Sequence, residues 1–138
     1  MLDIPPFSLI RFPFDFRDGK GPVRKRFAIL AHQGPAAICV KTTSKTNPFK
    51  SSPERLDGVA LYKVGECSHF ECETVIDPDN CFAIPHSQLE SYKSKGTLEI
   101  LGIVPDLRAR LIKAIKLSSE LTQQRRKNLL KLLGHDSM

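Results

Sequence analysis

No stretch of this 138-residue chain stays apolar for anything near the ~20 residues that a membrane-spanning helix requires, which excludes an integral membrane protein of helical type. Glycine and proline, 8 and 10 residues, are too few and too scattered for a collagen-like chain, and 41% hydrophobic with 26% charged residues excludes a disordered one. The start, Met1-Leu2-Asp3-Ile4-Pro5-Pro6, has neither the basic region nor the apolar segment of a secretory signal, so a cytoplasmic location is expected. Cysteine is sparse: Cys39, Cys67, Cys72 and Cys81 are expected to be free thiols rather than a disulfide framework. Internal repeats, low-complexity segments, a Gly-rich phosphate loop, a nucleophile elbow and an H-E-x-x-H signature are all missing. His32, His86 and His135 stand isolated, which gives a histidine acid–base site little support.

Positive charge, by contrast, is in excess. Lys and Arg number 21 against 15 Asp and Glu, a net charge of +6. Basic surface attracts phosphate through counterion release, so a polyanion, RNA or DNA first, is the expected class of partner. A merely basic soluble protein has the same composition.

The chain divides into a strand-rich body over residues 1–104 and a helical tail over 105–138. Phe7–Phe12 reads as a first strand ended by Pro13, and residues 15–26 as a polar, glycine-bearing loop. Phe27–Ala31 and Ala36–Thr43 are apolar almost without alternation, the pattern of strands inside a sheet. Ser44–Pro53 reads as a loop, Gly58–Val64 as a strand. Thr74–Ile76 and Cys81–Pro85 read as two strands joined by an Asp77-Pro78-Asp79-Asn80 turn, with Leu98–Gly102 as the last. Short strands with frequent turns describe a small barrel or sandwich. In the tail, Leu107, Leu111 and Ile115 recur at helical spacing, and Leu121, Leu129, Leu130, Leu132 and Leu133 suggest more helix before Gly134 caps it. So many large apolar side chains require a cover, either the body or a second copy of the chain.

The order of these segments carries a resemblance. A strand, a basic glycine loop, Arg26-Phe27-Ala28-Ile29-Leu30, a strand ending in Thr42-Thr43-Ser44-Lys45 with Pro48-Phe49 behind it, then Glu54–Leu61, resembles the MazF/PemK family of toxin endoribonucleases. The similarity covers residues 7–64, and 74–116 in element order only. It implies a mainly β fold with C-terminal helices, an SH3-like small barrel of the MazF/PemK type. It further implies metal-independent cleavage of single-stranded mRNA, no cofactor, a homodimer and a cognate antitoxin. Arg26 takes the place of the family's first-loop arginine and Thr42 that of its strand-end threonine. Five departures stand out, two of them being a first loop without the histidine that some relatives use and a tail beyond about Lys116 that has no counterpart. Phe27 replaces a proline, Leu61-Tyr62-Lys63 holds no arginine or carboxylate where some relatives have both, and Gly65–Glu73 has no counterpart.

Metal-free cleavage requires loss of the 2′-hydroxyl proton, stabilisation of a phosphorane and protonation of the 5′-oxygen. Arg26 offers a planar cationic donor fork to the phosphate, and Thr42 a hydroxyl donor; their resemblance-implied role is catalytic, with Thr43 as the adjacent alternative. Lys20, Arg24 and Lys25 in the first loop, with Lys41, Lys45 and Lys50 around the threonines, form a candidate RNA-binding set to which Thr43 also belongs. Phe49 and Tyr62 offer stacking faces to unpaired bases. Cys67, His69, Cys72 and Cys81 lack the paired spacing of a zinc knuckle, so no metal is expected. Two further readings compete: a catalytically inactive RNA- or protein-binding barrel, and a regulatory partner protein that assembles through its leucine-bearing tail.

Overall fold

The computed structural model describes residues 3–15 and 19–135. Residues 16–18 of the expected first loop, and both chain ends, lie outside the described residues. Six strands form one antiparallel sheet: β1 (Ser8–Phe14), β2 (Val23–Gln33), β3 (Ala36–Thr43), β4 (Ala60–Tyr62), β5 (Thr74–Pro85) and β6 (Glu99–Ile103). Their order is β4-β5-β3-β2-β1-β6, curled as a half-barrel with β4 and β6 at the edges. Register shifts at Leu9/Ile10, Ile29/Ala31 and Val40/Thr42 mark bulges, which bend strands and supply such a curl.

Both faces of the sheet are covered, which explains why β2 and β3 read as apolar runs. On one face Leu9, Leu30, Val40 and Ile76 pack with Leu107, Leu111, Ile115, Leu129 and Leu130 of α4 (Leu107–Leu117) and α5 (Gln123–Leu132). On the other, Ile10, Phe12, Phe27, Ile29, Cys39 and Ile84 meet Leu89 and Tyr92 of α3 (His86–Ser94). Phe12 stacks between Phe27 and Tyr92, with ring centroids 5.1 and 5.4 Å away.

Several boundaries differ from the expected ones. β1 runs on through Pro13 to Phe14, because β6 ends at the Arg11↔Glu99 pair and leaves that part of β1 at an edge, where a missing N–H is tolerated. β2 begins at Val23 rather than Phe27, since Val23, Arg24 and Lys25 pair in register with Phe14, Pro13 and Phe12. Ser44–Pro53 is not all loop: α1 (Asn47–Lys50) lies within it, and α2 (Pro53–Asp57) starts at its end, capped by Ser52, whose hydroxyl accepts from the Arg55 amide. Asp77–Asn80 is not a hairpin turn. Val40 faces Cys81 and Thr42 faces Ile76, so four residues of β5 bulge out opposite Lys41 and the strand continues. In the tail, α4 stops at Ser118, whose ψ of 129° is extended, and Gly134 takes φ +71° after α5.

Two tail arginines close helix ends, and a third ties α4 to β4. Arg126 donates to the carbonyls of Ile115, Lys116 and Ser118 at the end of α4. Arg108 donates to those of Leu133 and Gly134 after α5, and Arg110 to the Leu61 carbonyl on β4.

Candidate functional site

The site forms where β1, β2 and β3 lie side by side. The pairs Arg11↔Arg26 and Phe27↔Lys41 set Arg26 between Arg11 and Thr42. Thr42 Oγ1 donates to the main-chain carbonyl of Arg26 at 3.2 Å. Thr42 is 9% exposed, and Arg26 is half-buried with its Nε shut off from solvent and without a hydrogen-bond partner among the described residues. An orphaned buried donor costs about 1–3 kcal/mol, more when charged. Because this Nε is closed to solvent, an acceptor from outside reaches it only if the side chain turns toward the cleft.

Arg26 and Thr42 open into a cleft of about 320 Å³. Arg11, Arg24, Lys25, Lys41 and Lys45 join Arg26 around it, with the hydroxyls of Thr42, Thr43 and Ser44. Like charges are close enough to act on one another: partial burial, with Lys25 and Lys45 nearby, holds Lys41 below the usual lysine range. Thr43 Oγ1 accepts from the Lys45 amide at 3.1 Å, which fixes the turn leaving β3. Arg24 is ion-paired with Glu99, and Arg11 approaches the same carboxylate at 3.9 Å.

Of the expected residues, Arg24, Lys25, Arg26, Lys41, Thr42, Thr43 and Lys45 share this cleft. Lys20 and Lys50 lie outside it. Lys50 reaches Glu73 at 2.9 Å, where its hydrogen bond holds the Glu73 carboxyl below the usual range. Tyr62 offers no stacking face: its ring is fully buried, its hydroxyl donates to the Pro105 carbonyl at 2.6 Å, and the Arg110 guanidinium covers it at 4.0 Å. Phe49 lies under Arg55, 4.7 Å from ring centroid to guanidinium, and outside the cleft.

Residues 63–73, which connect β4 to β5, supply the wall that sequence reasoning missed. Cys67 and Phe70 are buried in the core, Phe70 edge-on to Tyr62 at 5.6 Å, and this anchors Glu71 and Cys72 at the cleft beside Thr74. The four zinc-capable side chains are dispersed. Cys67 is buried, Cys72 is exposed, the His69 ring lies against Gly102, and Cys81 donates to the Pro78 carbonyl with burial raising its thiol to about 11. Among the described residues, no three His, Cys, Asp or Glu side chains converge on one point.

A wider groove of about 570 Å³ separates β2 and β3 from α5, but its cations are only Arg125 and Lys131, and Arg125 is paired with Asp79. The cleft at Arg26 therefore has the stronger claim on a phosphate chain. No protein-family model matches the chain and no curated protein matches it significantly, so the assignment of this cleft rests on its own residues and geometry.

Proposed function

We propose that this chain is a toxin-like endoribonuclease that cleaves single-stranded mRNA without metal, acts as a homodimer and is neutralised by a cognate antitoxin protein. The observation that carries the reading is Arg26, with its unpartnered Nε, beside Thr42 in a cleft whose charged lining is six cations and one carboxylate. A scissile phosphate seated there meets a guanidinium fork and a hydroxyl donor. Both strengthen as charge builds on the phosphorane, which is how donors accelerate a reaction rather than merely bind its substrate. Arg24, Lys25, Lys41 and Lys45 hold the flanking phosphates. The charge logic, the short mainly β body and the resemblance of residues 7–64 to the MazF/PemK type agree.

A second reading has one observation in its favour. The Thr42 hydroxyl is already engaged with the Arg26 carbonyl, an arrangement that suits a barrel which binds RNA or protein without cutting. Purified protein incubated with a single-stranded RNA in EDTA separates the two. The nuclease reading expects fragments ending in 2′,3′-cyclic phosphate, and their loss in Arg26→Ala. Intact RNA with tight, salt-sensitive binding establishes the binding barrel instead.

A further inference from the structure

Glu71 is the one carboxylate among the described residues that lines the cleft, and it differs from three others in the same part of the molecule. Glu99 is paired with Arg24, Glu73 with Lys50 and the Thr46 hydroxyl, and Glu66 with Arg110 and the Lys63 amide. Glu71 alone of these four has neither an ion pair nor a hydrogen bond among the described residues, although six cationic side chains share its cleft. Its main chain is not free to wander. Phe70 beside it is buried in the core, and three residues on from Glu71 the Thr74 hydroxyl donates to the Cys72 carbonyl at 2.9 Å, which clamps the turn into β5. The side chain itself is exposed to the cleft. A carboxylate fixed at its base, unpaired among cations and open to substrate is equipped to accept a proton.

Resting on the nuclease reading above, we infer that Glu71 is the general base that takes the 2′-hydroxyl proton of the RNA. Arg26 cannot fill that role readily, since a guanidinium in a protein keeps its proton and offers no acceptor. Glu71 Oε removes the proton, the 2′-oxygen bonds to phosphorus, and the bond from phosphorus to the 5′-oxygen breaks. The departing 5′-oxygen is protonated from water in the open cleft, and Glu71 returns its proton to the same solvent. RNA leaves as a 2′,3′-cyclic phosphate and a 5′-hydroxyl, with no atom gained or lost. The division of labour is then plain: Arg26 and Thr42 stabilise charge, and Glu71 moves the proton.

The test compares wild type with Glu71→Gln, an exposed and nearly isosteric change, on a single-stranded RNA in EDTA and on its all-deoxy analogue, which binds without reacting. Cleavage by Glu71→Gln is expected to fall by roughly 10²–10⁴. Affinity for the deoxy strand should be unchanged or higher, because a negative charge has left a cationic cleft. The acid limb of the pH–rate profile should flatten in residual activity, which a purely structural role would leave in place. A Glu71→Gln protein within threefold of a cleaving wild type, with the same pH profile, overturns the assignment and leaves the nuclease reading standing. A wild type that binds RNA and leaves it whole overturns both.

Discussion

The Thr42 hydroxyl hydrogen-bonds to the main-chain carbonyl of Arg26 at 3.2 Å, so the threonine that would donate to a phosphate is parked on the arginine that would do the same. A χ1 rotation releases it, and because Thr42 is almost buried its landing sites are few. Replacing Arg26 by Ala is expected to lower cleavage by about 10²–10³, the usual effect of losing one transition-state donor. The melting temperature should hold or rise, since the change removes a buried unpartnered Nε. Thr42→Val keeps the shape and deletes the donor; it should lose rate, and the broken hydrogen bond to the Arg26 carbonyl should cost about 0.5–1.5 kcal/mol of stability. Initial rates and calorimetry on the same samples check this; a fall of several degrees in Arg26→Ala would make that arginine a structural residue.

Salt dependence should separate the cations by how they are already engaged. Each phosphate contact removed flattens the log K against log salt slope by roughly 0.7 for a single strand. Lys25→Ala and Lys45→Ala should each show that change. Arg24 holds Glu99 in the free protein and must exchange one anion for another, so Arg24→Ala should change the slope less. Lys50→Ala, whose partner is Glu73 away from the cleft, should leave it unaltered. Titrations of a fluorescent RNA across a salt series measure all four.

Lys41 gives the binding a pH signature. Burial, with Lys25 and Lys45 as neighbours, depresses its pKa in the free protein. A phosphate seated in the cleft favours the charged ammonium and raises that pKa, so binding takes up a proton in the window between the two values. Affinity therefore stays high at neutral pH and falls as pH rises through the free protein's depressed value. Lys41→Arg, always charged, should bind RNA with an affinity that no longer follows pH in this alkaline window. Calorimetry in two buffers of different ionisation heat detects the proton directly.

What the sequence disclosed and what it hid divide along a physical line. The apolar runs of β2 and β3 and the 3.6-residue period of α4 are intrinsic signals, because each reports a face that must be buried. Arg26 and Thr42 stand out only through the resemblance of residues 7–64 to the MazF/PemK family, since their places at the ends of those runs carry no chemical signal of their own. The strand at Val23–Lys25 was hidden because its side chains are exposed and its backbone pairs with β1. The bulge of Asp77–Asn80 carries every residue of a turn, and only the register with β3 distinguishes the two. α3 presents Leu89 and Tyr92 to the core and also buries the polar His86, too thin an apolar stripe to stand out. Residues 63–73 have no periodicity at all, so the anchoring of Phe70 and the arrival of Glu71 at the cleft are purely tertiary facts. Arg11 was within reach of pairing arguments, since the partner of Arg26 follows once β1 and β2 are in register.

The tail should prove to be a structural cover for the sheet. Leu121, Leu129, Leu130 and Leu133 are buried in one cluster with Leu9, Leu30 and Val40, and no residue of α4 or α5 lines the cleft. Deleting residues 118–138 strips α5 from a face of the sheet that α4 then covers only in part, and is expected to yield insoluble protein, which alone says little about activity. Leu129→Ala is the sharper probe. It leaves a cavity under α5 and should cost about 2–5 kcal/mol, read as a lower urea midpoint with the slope unchanged. Arg126→Leu keeps the aliphatic stem and deletes the donors that close α4; at partial exposure the loss should be about 1–2 kcal/mol. Neither change touches a cleft residue, so the cleavage rate per folded molecule should match wild type at a temperature where both variants are fully folded. A Leu129→Ala protein that melts with wild type and cuts RNA several-fold faster would reverse the conclusion and make α5 a mask over the site.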